Sequence, residues 1–278
     1  MNDKIEEAIF TNRFEDINKN FQRIYFGNEF CENLIPTLRQ AKSWIDFIKS
    51  TNKRLTFVTP FVTNIGIEKL GYILAFLNKH ENIEVVFNDW GVFKLIRDNY
   101  QNLTPVLGRL LSRQRRDPRL NDIINGDQSA KIIYSAKDQM KEVILPKKIP
   151  SSLAAYYRTC ALNVSIFRNF ILSNGIGRAE IDNLVWKMNL KPNKKLKLSI
   201  YFPFGYISTT RSCGKLTSTY KACHKECKNY FIRLKNESTS FSIYAIGNTV
   251  FYCTTSPTLE YLRALGIDRV IYQPRLPF

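Results

Sequence analysis

The chain has 278 residues, 44% of them hydrophobic and 23% charged, so it can bury a core of ordinary size and global disorder is excluded. Lys and Arg outnumber Asp and Glu by 41 to 24, a net charge of +17. That balance favours an anionic partner, such as nucleic acid, an acidic protein, or a carboxylate or phosphate substrate; a solvated lysine-rich surface is the plainer explanation.

Residues 1–7 are polar and mixed in charge, without the basic and apolar regions of a secretory signal. Short β-branched and aromatic runs then alternate with longer amphipathic segments, the pattern of βα units. Strands are expected at 23–26, 55–59, 84–88, 105–108, 179–182 with Leu184 and Val185, 197–202, 241–246 and 269–272. Helices are expected at 34–50, 67–80, 91–99, 152–174 and 257–265. The most apolar stretch, 65–77, is too short to span a bilayer and contains Glu68 and Lys69, so no membrane span and a cytoplasmic location are expected.

The strand count approaches eight and no linker divides the sequence. The first expectation is an α/β fold, a TIM-barrel-like (β/α) barrel forming a single domain over 1–278; an open doubly wound sheet is the alternative. Either fold carries its site at the C-terminal ends of the strands. Residues 111–150 break the rhythm and suggest a basic insertion or lid over those ends. Runs 243–246 and 249–253 flank Gly247-Asn248, a dipeptide suited to a two-residue hairpin turn.

In a reducing compartment, clustered cysteines point to metal or redox chemistry before disulfides. Cys213, Cys223 and Cys227 are spaced C-x9-C-x3-C in a polar segment between the strands at 197–202 and 241–246. Cys31 follows the strand at 23–26, and in a barrel both segments emerge at one rim, which makes it the natural fourth ligand; Cys253, ending a strand, is the outside candidate. Four thiolates favour an iron–sulfur cluster or zinc, and one distant cysteine with a loose trio suits a cluster better than paired zinc knuckles. Lys215, Lys221, Lys225 and Lys228 flank the trio and are expected to lower its thiol pKa values. Cys160 reads as an ordinary helix residue, and the alternative for all of these thiols is burial as small hydrophobes.

The ordered set Tyr25-Phe26-Gly27-Asn28-Glu29-Phe30-Cys31, residues 84–91 ending Asn88-Asp89-Trp90-Gly91, Arg211-Ser212-Cys213, and the closing 262–268 resembles the collagenase-like peptidase family U32, in its shorter, UbiV-like branch. The resemblance spans nearly the whole chain. It implies a barrel, a 4Fe–4S cluster on Cys31, Cys213, Cys223 and Cys227, a related U32-family partner subunit (hence a heterodimer), and oxygen-independent hydroxylation with prephenate as oxygen donor. Other members hydroxylate RNA bases, so RNA modification is the alternative activity; a zinc-stabilised scaffold or an unconventional peptidase is a third. The nine-residue gap inside the trio and the Arg-rich segment depart from that branch.

Asn88 and Asp89 close a strand at the expected rim, where they would hold a substrate hydroxyl or carboxylate or cap the next helix. Arg109, Arg113, Arg115, Arg116 and Arg119 would bind a dicarboxylate or phosphate through forked contacts, or form a solvated face. His80 is expected to cap a helix end, and His224 to support the cysteine site. No Ser-His-Asp set, HExxH or phosphate-binding glycine loop is present, which argues against a conventional protease or kinase.

Overall fold

Short strands buried on both faces are the mark of a parallel sheet wrapped by helices, and β2 (Arg23–Gly27) is buried at every residue. The computed structural model describes residues 5–18, 20–117, 120, 131–134, 141–144, 150–211, 213, 223–235 and 241–277. In chain order, β1 (Glu6–Phe10) and β2 precede α1 (Leu38–Thr51), β3 (Arg54–Val58), α2 (Asn64–Leu77), β4 (Ile83–Phe87), α3 (Trp90–Asn99) and β5 (Leu103–Leu107). An antiparallel pair, β6 (Lys131–Tyr134) and β7 (Lys141–Ile144), and helices α4 (Ser151–Tyr157) and α5 (Ser165–Ser173) lead to β8 (Arg178–Asp182) and β9 (Lys197–Phe202). The chain ends with β10 (Phe204–Thr209), β11 (Ile232–Leu234), β12 (Ile243–Ile246), β13 (Thr249–Cys253), α6 (Leu259–Leu265) and β14 (Ile267–Tyr272).

Eight strands close a parallel barrel in the order β1-β14-β9-β8-β5-β4-β3-β2, so the fold is the TIM-barrel-like α/β architecture expected. One barrel strand was not expected, and one expected strand lies elsewhere. β1 stands where only a polar N-terminus was read, because its charged Glu6 points into a buried ion network. The run at 241–246 belongs instead to a four-stranded antiparallel sheet, β10-β13-β12-β11, inserted between β9 and β14. The hairpin joining β12 to β13 forms as expected, with Gly247 at φ +56.

The helix expected at 152–174 is two. Cys160 lies buried between them at the start of a 3-10 turn, Ala161–Asn163, and not inside a helix. Tertiary bonds break the helix there: Ala161 N donates to Ser112 O at 2.9 Å and Asn163 Nδ2 to Asn189 O at 2.8 Å. No helix links β8 to β9. Leu184, Trp186, Met188 and Leu190 are buried in an irregular segment, turned at Lys187 (φ +58), that covers the barrel in its place.

The barrel interior is layered. Ala8, Phe10, Tyr25, Val58, Val86, Val106, Tyr201 and Ile271 form an inner apolar group distinct from the larger core under the helices. Below it, at the N-terminal ends, Arg23 and Arg269 bridge Glu6 and Glu84 at 2.6–3.3 Å. Burial alone would raise the Glu84 pKa, but Arg269, Arg23 and Arg178 hold it down at about 2.

Candidate functional site: a thiol-lined pocket at the barrel rim

Cys31 reaches the rim through a sharp departure from β2. Gly27 has φ +128, and a Cβ there would lie 2.2 Å from Val58 O, so only glycine fits this corner. Asn12 clamps the corner, its Nδ2 donating to Gly27 O at 2.8 Å and its Oδ1 accepting from Gly27 N at 3.0 Å. One turn on, Asn28 Oδ1 accepts from Phe30 N at 3.0 Å and Cys31 N at 2.8 Å, which fixes the backbone that carries the thiol. Glu32 then holds the loop after β3, accepting from Thr63 N at 2.8 Å and Thr63 Oγ1 at 2.9 Å.

The three late cysteines follow β10, and the β12–β13 turn ties them to the Cys31 loop. Asn248 Nδ2 donates to Phe30 O at 2.8 Å and, over a very short contact, to Thr210 O; Thr210 N donates back to Asn248 O at 3.1 Å. Segments remote in sequence thus meet around one pocket of about 160 Å³, walled by Cys31, Cys213, Cys223 and Cys227 together with Phe61, Arg211 and Asn248. All four cysteines are half-buried and none is in a disulfide. Cys253 does not line this pocket.

Burial pushes the Cys31 and Cys227 thiols up, and the neighbouring thiols add to the rise: Cys223 and Cys213 for Cys31, and Cys31, Cys213 and Cys223 for Cys227. The expected lowering by lysines does not operate on these two: Lys225 and Lys228 are exposed, and Lys215 and Lys221 lie outside the described residues. Among the described residues, the cation lining this pocket is Arg211, 3.9 Å from Asp89 Oδ2 and 5.8 Å from the centre of the Phe61 ring. Among the described residues, no group of three or more His, Cys, Asp or Glu side chains is gathered so as to hold a metal ion.

Asn88, Asp89, Arg109 and Arg116 are engaged in holding the rim together. Asp89 caps α3 through Gly91 N at 2.7 Å. Buried Asn88 donates to Thr59 O and accepts from Leu110 N, in space left by Gly108, where a Cβ would lie 2.1 Å from Asn88 Oδ1. Arg109 is completely buried, paired with Glu29 at 2.8 Å and Asp182 at 2.5 Å, with its guanidinium 4.1 Å from the Tyr201 ring centre. Arg116 pairs with the same Asp182 at 2.7 Å and lies over Tyr206. These two arginines therefore face carboxylates of their own chain and not solvent. Arg115 donates to Thr159 O at 3.1 Å, Arg113 is exposed with φ +50, and Arg119 lies outside the described residues, as does most of the 111–150 segment. His80 stands past the end of α2, its ring edge-on to Phe76, and bonds Leu77 O through its backbone N and not its side chain. His224 is exposed and does not line the pocket.

Sequence reasoning missed Arg211 and Asn248 as parts of this site, and a second, larger cavity beside it. Asn248 was legible only as a turn residue, since its bonds join segments that no local pattern connects. The larger cavity, of about 770 Å³, shares the wall at Cys227 and opens among the end of β1, the start of β10 and the chain that follows β14.

Fold and pocket together define a closed parallel (β/α) barrel with four cysteines lining one pocket at its C-terminal rim. No family model and no curated protein matches the chain. Among solved structures, the U32 peptidase Mk0906 is similar over 98% of this chain and 93% of its own, at 8% identity and a TM-score of 0.45. A glycoside hydrolase family 18 N-acetylglucosaminidase from Paenibacillus barengoltzii covers 97% and 94%, at 10% identity and 0.35. Human YKL-39, a pseudo-chitinase, covers 96% and 92%, at 11% identity and 0.39. Such likenesses assign no activity. Among the described residues, no helix is long and apolar enough to cross a membrane.

Proposed function

We propose that the chain is a U32-type protein carrying a 4Fe–4S cluster on Cys31, Cys213, Cys223 and Cys227, and that it serves as an oxygen-independent hydroxylase or as the cluster-bearing subunit of one. The observation that carries this reading is the sharing of one pocket wall by four cysteines from separate parts of the chain. The donor set fits in number and kind: four thiols, with Arg211 as the nearby cation to offset an anionic thiolate centre. When bound, the cluster supplies one-electron chemistry. The chain's own residues hold the thiolates in place through Asn28 and Asn248 and line the rim where substrate would enter. The resemblance to the UbiV-like branch brings the finer parts of the proposal, a related partner subunit and prephenate as oxygen donor.

Iron and acid-labile sulfide, measured on anaerobically purified protein, test this directly. The wild type is expected to hold both with a broad visible absorption. Cys31→Ala, Cys213→Ala, Cys223→Ala and Cys227→Ala should each lose most of it, while Cys253→Ala keeps it. Full iron and sulfide in Cys213→Ala or Cys227→Ala would reject the ligand assignment, and stoichiometric zinc without iron would favour a scaffold with structural zinc. RNA modification is the second reading, and the net charge of +17 favours it.

A further inference from the structure

The larger cavity at the same rim is unaccounted for by the thiol pocket, although Cys227 borders both. Its volume of about 770 Å³ is that of a small-molecule site, which typically occupies about 300–1,000 Å³. Two chemistries line it. Phe231 and Tyr244 stand edge to face, ring centres 5.5 Å apart, and Phe10 and Phe204 extend the aromatic wall. Phe231 leaves 54% of its surface in solvent, an uncovered ring at the mouth of a cavity. Arg13, Lys228 and Arg275 line the same cavity, with Asp16 as the acid among them. Asp16 is already paired with Arg275 at 2.8 Å, so Arg13 and Lys228, both exposed, leave the cavity cationic.

We propose that this cavity binds a planar conjugated ring bearing a carboxylate or phosphate, the ring against Phe231 and Tyr244 and the anion at Arg13 and Lys228. Aromatic faces accept any flat ring, and guanidinium and ammonium groups select the anionic ones. The proposal deepens the reading above by naming the substrate class for that rim, but it stands on the lining of the cavity alone. Two sources offer this chemistry, a free aromatic acid and a nucleotide, and the probes separate them.

Calorimetric titration of the full chain, anaerobically purified at low salt, uses 2-naphthoate for the first source and uridine 5′-monophosphate for the second. The uncharged 2-naphthamide and the ringless-π cyclohexanecarboxylate are the controls. At least one anionic ring should bind about tenfold more tightly than both controls, and Arg13→Ala and Phe231→Ala should each weaken it about tenfold. Tyr72→Ala, which removes an exposed aromatic on α2, should leave it unchanged. The tighter of the two probes identifies the source. No binding of either up to about 10 mM, equal binding of 2-naphthamide, or wild-type affinity in both cavity variants overturns the proposal. If Phe231→Ala lowers the melting temperature, Lys228→Ala takes its place. Iron and sulfide measured on the same samples keep the two readings apart: normal iron without probe binding sinks only the cavity, and probe binding without iron sinks only the cluster.

Discussion

Two side chains do more than their sequence neighbourhood suggests. Asn248 sits in a hairpin turn, yet its amide is the direct polar tie between the loop bearing Cys31 and the strand end leading to Cys213. Asn248→Ala should leave the fold intact, since the turn is exposed, but loosen the thiol set. The expected outcome is faster loss of iron to a chelator, followed as the decay of visible absorption, with Asn248→Asp failing to restore it because a carboxylate cannot donate to Phe30 O. Glu180 is the second. It is completely buried inside the barrel, with Oε2 accepting from Tyr201 Oη at 2.6 Å and Oε1 without a partner among the described residues. Burial pushes its pKa up to about 8, against which the Tyr201 hydrogen bond works only in part. The folded protein therefore keeps a proton that the unfolded chain releases in the ordinary carboxylate range. Stability contributed at this position falls as pH rises from that range to about 8, then levels off. Glu180→Gln has no proton to release. Its melting temperature relative to wild type should rise between about pH 5 and pH 9; a constant difference would show that Glu180 titrates normally.

Among the elements, the weakest seam of the barrel lies between β5 and β8, whose register contains one pair, Leu107 with Ala179. A side chain supplies the missing rungs. Gln114 Nε2 donates to Asp182 O at 3.0 Å and Gln114 Oε1 accepts from Asp182 N at 2.7 Å, the two bonds a neighbouring strand would make. Removing that amide leaves a buried donor and acceptor unmet, so Gln114→Ala should destabilise the protein by about 2 kcal/mol in denaturant titration. Such a device is invisible in sequence, where Gln114 is one polar residue among arginines. The strands at 23–26, 55–59, 84–88, 105–108, 179–182, 197–202 and 269–272 were legible because burial on both faces keeps them rich in β-branched and aromatic residues. β1 was not, since Glu6 and Glu7 make half of it look like solvent-facing chain. The run at 241–246 was misplaced for the converse reason: apolar β-branched and aromatic residues read alike in a barrel and in an antiparallel sheet. The cysteine set was legible through spacing and strand ends. Arg109 and Arg116 were misjudged, because a charged run gives no sign that Glu29 and Asp182 wait for it across the fold.

At the scale of the whole molecule, an excess of 17 positive charges acts on any polyanion regardless of which pocket it enters. Retention of a single-stranded RNA oligomer is expected to weaken about tenfold or more between 50 and 200 mM salt, read as a linear fall of log affinity against log salt. Absence of that slope would leave the charge as surface composition alone. The same scale governs how the thiol pocket comes into being. Cys31 belongs to the first βα unit, whereas its companions follow nearly the entire barrel. A chain leaving the ribosome exposes the early thiol long before the others exist, and no partial product can gather all four. Any group that needs them together must be inserted after synthesis has passed Cys227 and the cylinder has closed, so the order of biogenesis is written into the circular arrangement of the strands.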